Sequence, residues 1–152
     1  MSREPTGPIV CATRGGKASH ILQAKAIQLA RAERKSLVFV YIVNPSNLGP
    51  LSEKSQKAAQ AELTWFGNAL LKVAQLRAQR AGVQVETIVC EGNVRVQIEE
   101  VLREKGAGLL LVGASRQSDS TPTFKEDALT QFARQVEQDT GVEVRIISLD
   151  EA

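Results

Sequence analysis

Apolar positions follow two alternating rhythms along the chain. Continuous apolar runs rich in β-branched residues, PIVCAT (8–13), SLVFVYIV (36–43) and LLLV (109–112), read as strands β1, β2 and β4 buried on both faces. VQVETIVC (83–90), alternating first and then apolar, reads as β3, and VEVRIISL (142–149) closes the series as β5. Between the runs the apolar period switches to that of a helix. From Ser19, an expected N-cap, Leu22, Ala26, Leu29 and Ala30 share one face of α1, which ends near Lys35. From about Glu53 to Ala81, Leu63, Phe66, Leu70 and Val73 define α2, stopped by Gly82, with Trp65 expected to pack on its flank. Asn93 caps α3, whose buried stripe is Val94, Ile98, Val101 and Leu102 and whose stop is Gly106. Thr123 and Glu126 form a T-x-x-E capping box for α4, which buries Leu129, Phe132, Ala133 and Val136 and ends at Gly141. NPSNLGPLS (44–52) and GASRQSDSTP (113–122) are polar or turn-rich, hence loops.

Five strands alternating with four helices imply βαβ units, parallel pairing and right-handed crossovers. The expected fold is a doubly wound, Rossmann-like α/β sandwich: an open five-stranded parallel sheet with helices on both faces. Such sheets bind ligands at their carboxyl edge, where the strand order reverses. Periodicity does not give the order itself.

With 152 residues and 43% hydrophobic composition, the chain can fill one core, so residues 1–152 are read as one domain. Nineteen basic against 17 acidic residues leave +2, with both signs scattered, which argues against nucleic acid or anionic lipid as a partner. No apolar run approaches the ~20 residues of a membrane span, and MSREPTGP lacks a signal-peptide core, so a cytoplasmic location is expected. Cys11 and Cys90 lie inside strand runs and read as small core residues. A lone histidine, His20, rules out a His-rich metal centre and argues against most His-based catalysis, and no metal-ligand spacing occurs.

The stretch CATRGGKAS (11–19) falls at a strand-to-helix turn, where two glycines and a lysine can surround an anion. It is not a P-loop, because the upstream glycine is Gly7 and Ala18 follows Lys17. GASRQ (113–117) fails as a nucleophile elbow, with Gln117 in place of the last glycine and His20 ahead of Ser115 in the chain. Glu99 and Glu100 read as part of a solvated helix face.

The element order, the strand-end ATRGG and the LLLVGASR of β4 together resemble the universal stress protein family over nearly the whole chain. The resemblance implies strand order 3-2-1-4-5, with the loops after β1 and β4 facing each other across one crevice. ATP-binding members carry an Asp at the end of β1, a contact from the end of β2, and a G-x-x-G-x9-G-[ST] pattern from β4 into the last helix. Here Ala12 and Arg14 stand at the β1 positions, so a cation replaces the Asp. Ile42 takes the β2 position and Gly113 the first glycine, but Arg116 replaces the second, and Glu126 and Asp127 stand where Gly and Ser should open the helix. Carboxylates there would occupy the free amides of the helix end and repel a triphosphate. Arg14, Lys17 and Arg116, with Gly15 and Gly16, offer the opposite possibility of a phosphate held by side chains, unless they are solvated or pair with Glu126 and Asp127.

The resemblance also implies a homodimer joined through β5, Val142 to Leu149, whose apolar edge invites a second chain and whose Glu143 and Arg145 can set an antiparallel register. Two expectations follow. The first is a non-enzymatic stress-response domain with a degraded ATP site and no cofactor, acting through an unidentified protein partner. The alternative is a regulatory switch holding AMP or ATP with Arg14, Lys17, Gly113, Ser115 and Arg116. A hydrolase lacks a base, a metal site and a positioned nucleophile.

Overall fold

The computed structural model describes residues 7–13, 17–43, 52–114 and 122–148, the side chains of 17, 18 and 122–127 excepted. Five strands and four helices alternate: β1 (Ile9–Ala12), α1 (Lys17–Glu33), β2 (Leu37–Val43), α2 (Glu53–Arg80), β3 (Val85–Glu91), α3 (Val94–Lys105), β4 (Leu109–Ala114), α4 (Pro122–Thr140) and β5 (Glu143–Ser148). The sheet order is β3-β2-β1-β4-β5, every pair parallel, as the resemblance implies.

Alternation of side chains along each strand splits the core into two layers. Ile9 and Cys11, Leu37 and Phe39, and Leu109 and Leu111 face α1 and α2, meeting Leu22, Ala26, Ile27, Leu71 and Ala74. Val10, Val38, Val40, Leu110 and Val112 face α3 and α4, meeting Ile98, Val101, Leu102 and Val136. Each buried Val, Leu, Ile or Phe among them contributes roughly 1.5–3 kcal/mol by leaving water. The inner strands β1, β2 and β4 are therefore apolar on both faces, whereas β3 and β5, at the edges, are half-exposed.

Local signals place most helix ends. Asn93 Oδ1 accepts from the Val96 amide at 3.1 Å, and Gly106 ends α3 in the left-handed region at φ 61°. Two caps differ from expectation. Ser19 is the third residue of α1, buried, because the helix begins at Lys17. Likewise α4 begins at Pro122, so Thr123 lies inside it and the T-x-x-E box is out of register; its first turn holds no acidic residue.

The buried face of α2 is also rotated from expectation. Gly67, Leu71, Ala74 and Ala78 face the sheet, while Phe66 and Val73 are exposed and Trp65, expected to pack, is 72% exposed. Small residues let α2 lie close to its strands: a Cβ on Gly67 would sit 2.3 Å from Tyr41 Cδ2, and the Tyr41 ring meets Phe66 edge-on at 6.4 Å. Glu99 is a further correction, since it is 5% exposed instead of solvated. Arg95 reaches Glu99 at 3.3 Å and Asp139 at 3.0 Å, joining α3 to α4, and Gln135 donates to Asp139 at 2.9 Å. Burial, and then the hydrogen bond it can donate to Asp139, push the Glu99 carboxyl up, while the same bond holds Asp139 below the usual carboxylate range.

Gly67→Ala separates helix propensity from packing. Propensity favours alanine by about 1 kcal/mol, but overpacking against Tyr41 costs typically 1–3 kcal/mol. The substitution is expected to lower stability in urea denaturation, and Gly67→Ala with Tyr41→Ala to be less affected by the added methyl.

Candidate functional site

The crossovers change faces between β1 and β4. The helices after β1 and β2 cover one side of the sheet and those after β3 and β4 the other, which makes β1/β4 the switch point. Cys11 pairs with Leu111, so β1, ending at Ala12, stops short of the end of β4 at Ala114, and the two parallel strands end toward the same edge. Ala12, Ile42 and Gly113 stand along this carboxyl edge, each half-buried: Ala12 is in register with Val40, two residues before Ile42 on β2, and Gly113 with Ile147. Lys17 opens α1. Arg14, Gly15, Gly16, Ser115 and Arg116 lie outside the described residues, as do the side chains of Lys17, Glu126 and Asp127. In the backbone Glu126 and Asp127 fall in the second turn of α4, past the amides that lack intrahelical partners.

Sequence reading missed the polar anchor of this edge. Thr13, Ser19 and Gln23 are all buried at the β1–α1 junction. Gln23 Nε2 donates to Thr13 Oγ1 at 3.0 Å, and the Thr13 amide donates to Val40 O at 2.9 Å, so the residue that follows β1 is tied to both α1 and β2. The signal was present as Ser19 and Gln23, four apart and hence on the apolar face of α1 beside Leu22 and Ala26.

The remaining chemistry-bearing residues are structural in placement. Cys11 is fully buried and Cys90 half-buried, both free thiols. Burial pushes both thiols up, with Glu100 adding to the effect at Cys90, so neither is poised as a thiolate. His20 is exposed on α1, and among the described residues no group of three His, Cys, Asp or Glu side chains is arranged to hold a metal ion. An open hollow of about 800 Å³, lined by Pro8, Leu37, Val85 and Lys105, lies at the amino ends of the strands, opposite the switch-point edge. No described helix is long and apolar enough to cross a membrane.

The fold is an open, doubly wound α/β domain whose strand order reverses at β1/β4, the edge at which sheets of this class bind ligands. The profile of the universal stress protein family matches residues 6–136, and the chain belongs to that family. No curated protein matches the sequence. Among solved structures, a universal stress protein family member from Burkholderia pseudomallei is 22% identical, covering 96% of this chain and 98% of its own at a TM-score of 0.68. A universal stress protein solved with cAMP is also 22% identical, covering 95% of this chain and 99% of its own at a TM-score of 0.65. The Archaeoglobus fulgidus universal stress protein, solved with dAMP, is 19% identical, covering 94% of this chain and 98% of its own at a TM-score of 0.53.

Thr13→Val is expected to lower stability by about 1–3 kcal/mol, because it leaves the buried Gln23 amide without its acceptor. Thr13→Val with Gln23→Leu should recover part of the loss in thermal denaturation; strict additivity would argue against the anchor.

Proposed function

We propose that this universal stress protein is a non-enzymatic cytoplasmic regulator that binds an adenine nucleotide at the β1/β4 edge, preferring a nucleoside monophosphate to ATP. The observation that carries the reading is the switch point itself: the segments leaving its two strands bring cations in sequence, Arg14 and Lys17 after β1 and Arg116 after β4. The first turn of α4 carries no carboxylate, which weakens the electrostatic case against a phosphate there. The relatives solved with cAMP and dAMP support a ligand with one phosphate. That group needs few donors, and an arginine can meet it with two parallel N–H bonds. Arg116 stands in place of the family's second glycine, which disfavours the glycine-lined amide cradle of the triphosphate-binding members. A non-enzymatic role is supported by the sequence's single histidine, His20, which leaves few candidates for a general base.

The second reading, a degraded site that holds no nucleotide, is favoured by the replacement of the family's Asp by Arg14. Calorimetric titration with AMP, cAMP and ATP, with and without magnesium, separates the two. Heat with AMP or cAMP, ATP weaker by about tenfold, and a loss of about tenfold in Arg116→Ala support binding by side chains. Silence with all three nucleotides establishes the degraded site, and release of phosphate from ATP overturns the non-enzymatic assignment.

The same reading includes a homodimer through β5. This strand is the sheet edge, and Ile146 is 38% exposed on it. Glu143 and Arg145 pair with each other at 3.2 Å, and Glu137 of α4 accepts from the Val144 amide at 2.9 Å. A second chain therefore adds most readily from Ile146 onward. Ile146→Pro, which removes an edge amide, is expected to yield monomers at dilute concentration in sedimentation; an unchanged dimer would exclude this interface.

A further inference from the structure

Helix α2 carries a second apolar stripe on the side turned away from Leu71 and Ala74. Trp65, Phe66, Val73 and Leu76 are 72%, 44%, 49% and 46% exposed, with exposed Ala69 among them. Their spacing of three and four residues makes one strip along the helix. Isolated exposed apolar residues are ordinary, but a contiguous strip bounded by charge marks a contact surface. Exposed Glu62 lies in line one turn before the strip, and exposed Arg80 one turn after it. Neither makes a hydrogen bond or ion pair within the described part of the chain.

We propose that this strip is a self-association surface, on which α2 packs antiparallel against α2 of a second copy across a two-fold axis passing between Ala69 and Val73. Charge complementarity selects the occupant. Glu62 and Arg80 lie at equal distances on either side of that axis, so Glu62 meets the partner's Arg80 twice over, once at each end. Trp65 lies against the partner's Leu76, and Ala69 at the crossing leaves room for the backbones to approach. A parallel pairing would set Glu62 against Glu62 and Arg80 against Arg80.

The association is weak by construction. From Glu62 to Arg80 the strip runs roughly 27 Å at about 1.5 Å per residue and is about 10 Å wide, on the order of 270 Å², short of the ~800 Å² per partner of a stable interface. Lys72, exposed beside the axis, also meets its own copy. The surface is independent of β5, because α2 packs on β2 and β3, at the opposite end of the sheet.

Trp65 is the only tryptophan, so its emission reads this surface directly. Sedimentation and tryptophan emission of the full chain are measured over a wide concentration range. A blue shift should accompany the rise in mass. Glu62→Arg and Arg80→Glu, both at exposed positions, should each weaken association about tenfold. An equimolar mixture of the two single variants should regain the wild-type shift, since each supplies the charge the other lacks. Ile146→Pro should leave the shift intact. Emission independent of concentration, failure of the mixture to recover, or loss of the shift in Ile146→Pro would each overturn the proposal.

Discussion

Burial of β1 on both faces and along both edges is the constraint from which the rest follows. Ile9, Val10 and Cys11 are wholly inaccessible to water, so each backbone polar group must pair with β2 or β4 and each side chain with a helix layer. Covering both faces forces the crossovers to change sides, and they do so beside β1. The switch-point edge is thus a consequence of how the central strand escapes water.

That edge is held by polar groups as buried as the core. Thr13 and Gln23 are 4% and 2% exposed, and their hydrogen bond joins the end of β1 to the second turn of α1. Inside the protein a satisfied bond of this kind specifies one arrangement, because the alternatives leave a donor unpaired. A rigid base of this sort suits a binding site whose recognition groups lie on the connecting segments. The chemistry proposed there relies on arginine and lysine side chains in place of the family's glycine-lined helix end.

Helices α3 and α4 are clamped in a different way. Arg95 bridges Glu99 and Asp139, and Arg103 donates to the Asp139 carbonyl at 3.1 Å, so two carboxyl groups are accommodated near one guanidinium. Neighbouring Glu99 and Glu100 point differently because of the helical period, and the one turned toward α4 acquires a buried environment. This clamp also orders the helix that leads into β5, where Glu137 covers an edge amide.

Element type and order were legible from the chain alone, because continuous β-branched runs and three-four spacing report burial directly, and Asn93, Gly82 and Gly106 report helix ends through their own backbone preferences. The candidate residues Ala12, Ile42 and Gly113 were named from family resemblance alone, and Gln23 was missed because an amide on an apolar face carries no sign of its acceptor. Tertiary packing decided the rotation of α2, since two apolar stripes compete on that helix and the sheet took the one with Gly67 and two alanines, which allows closer approach. It likewise decided the burial of Glu99 and the start of α4 at Pro122, because these depend on which distant groups come within hydrogen-bonding or packing distance, a quantity that local spacing does not encode.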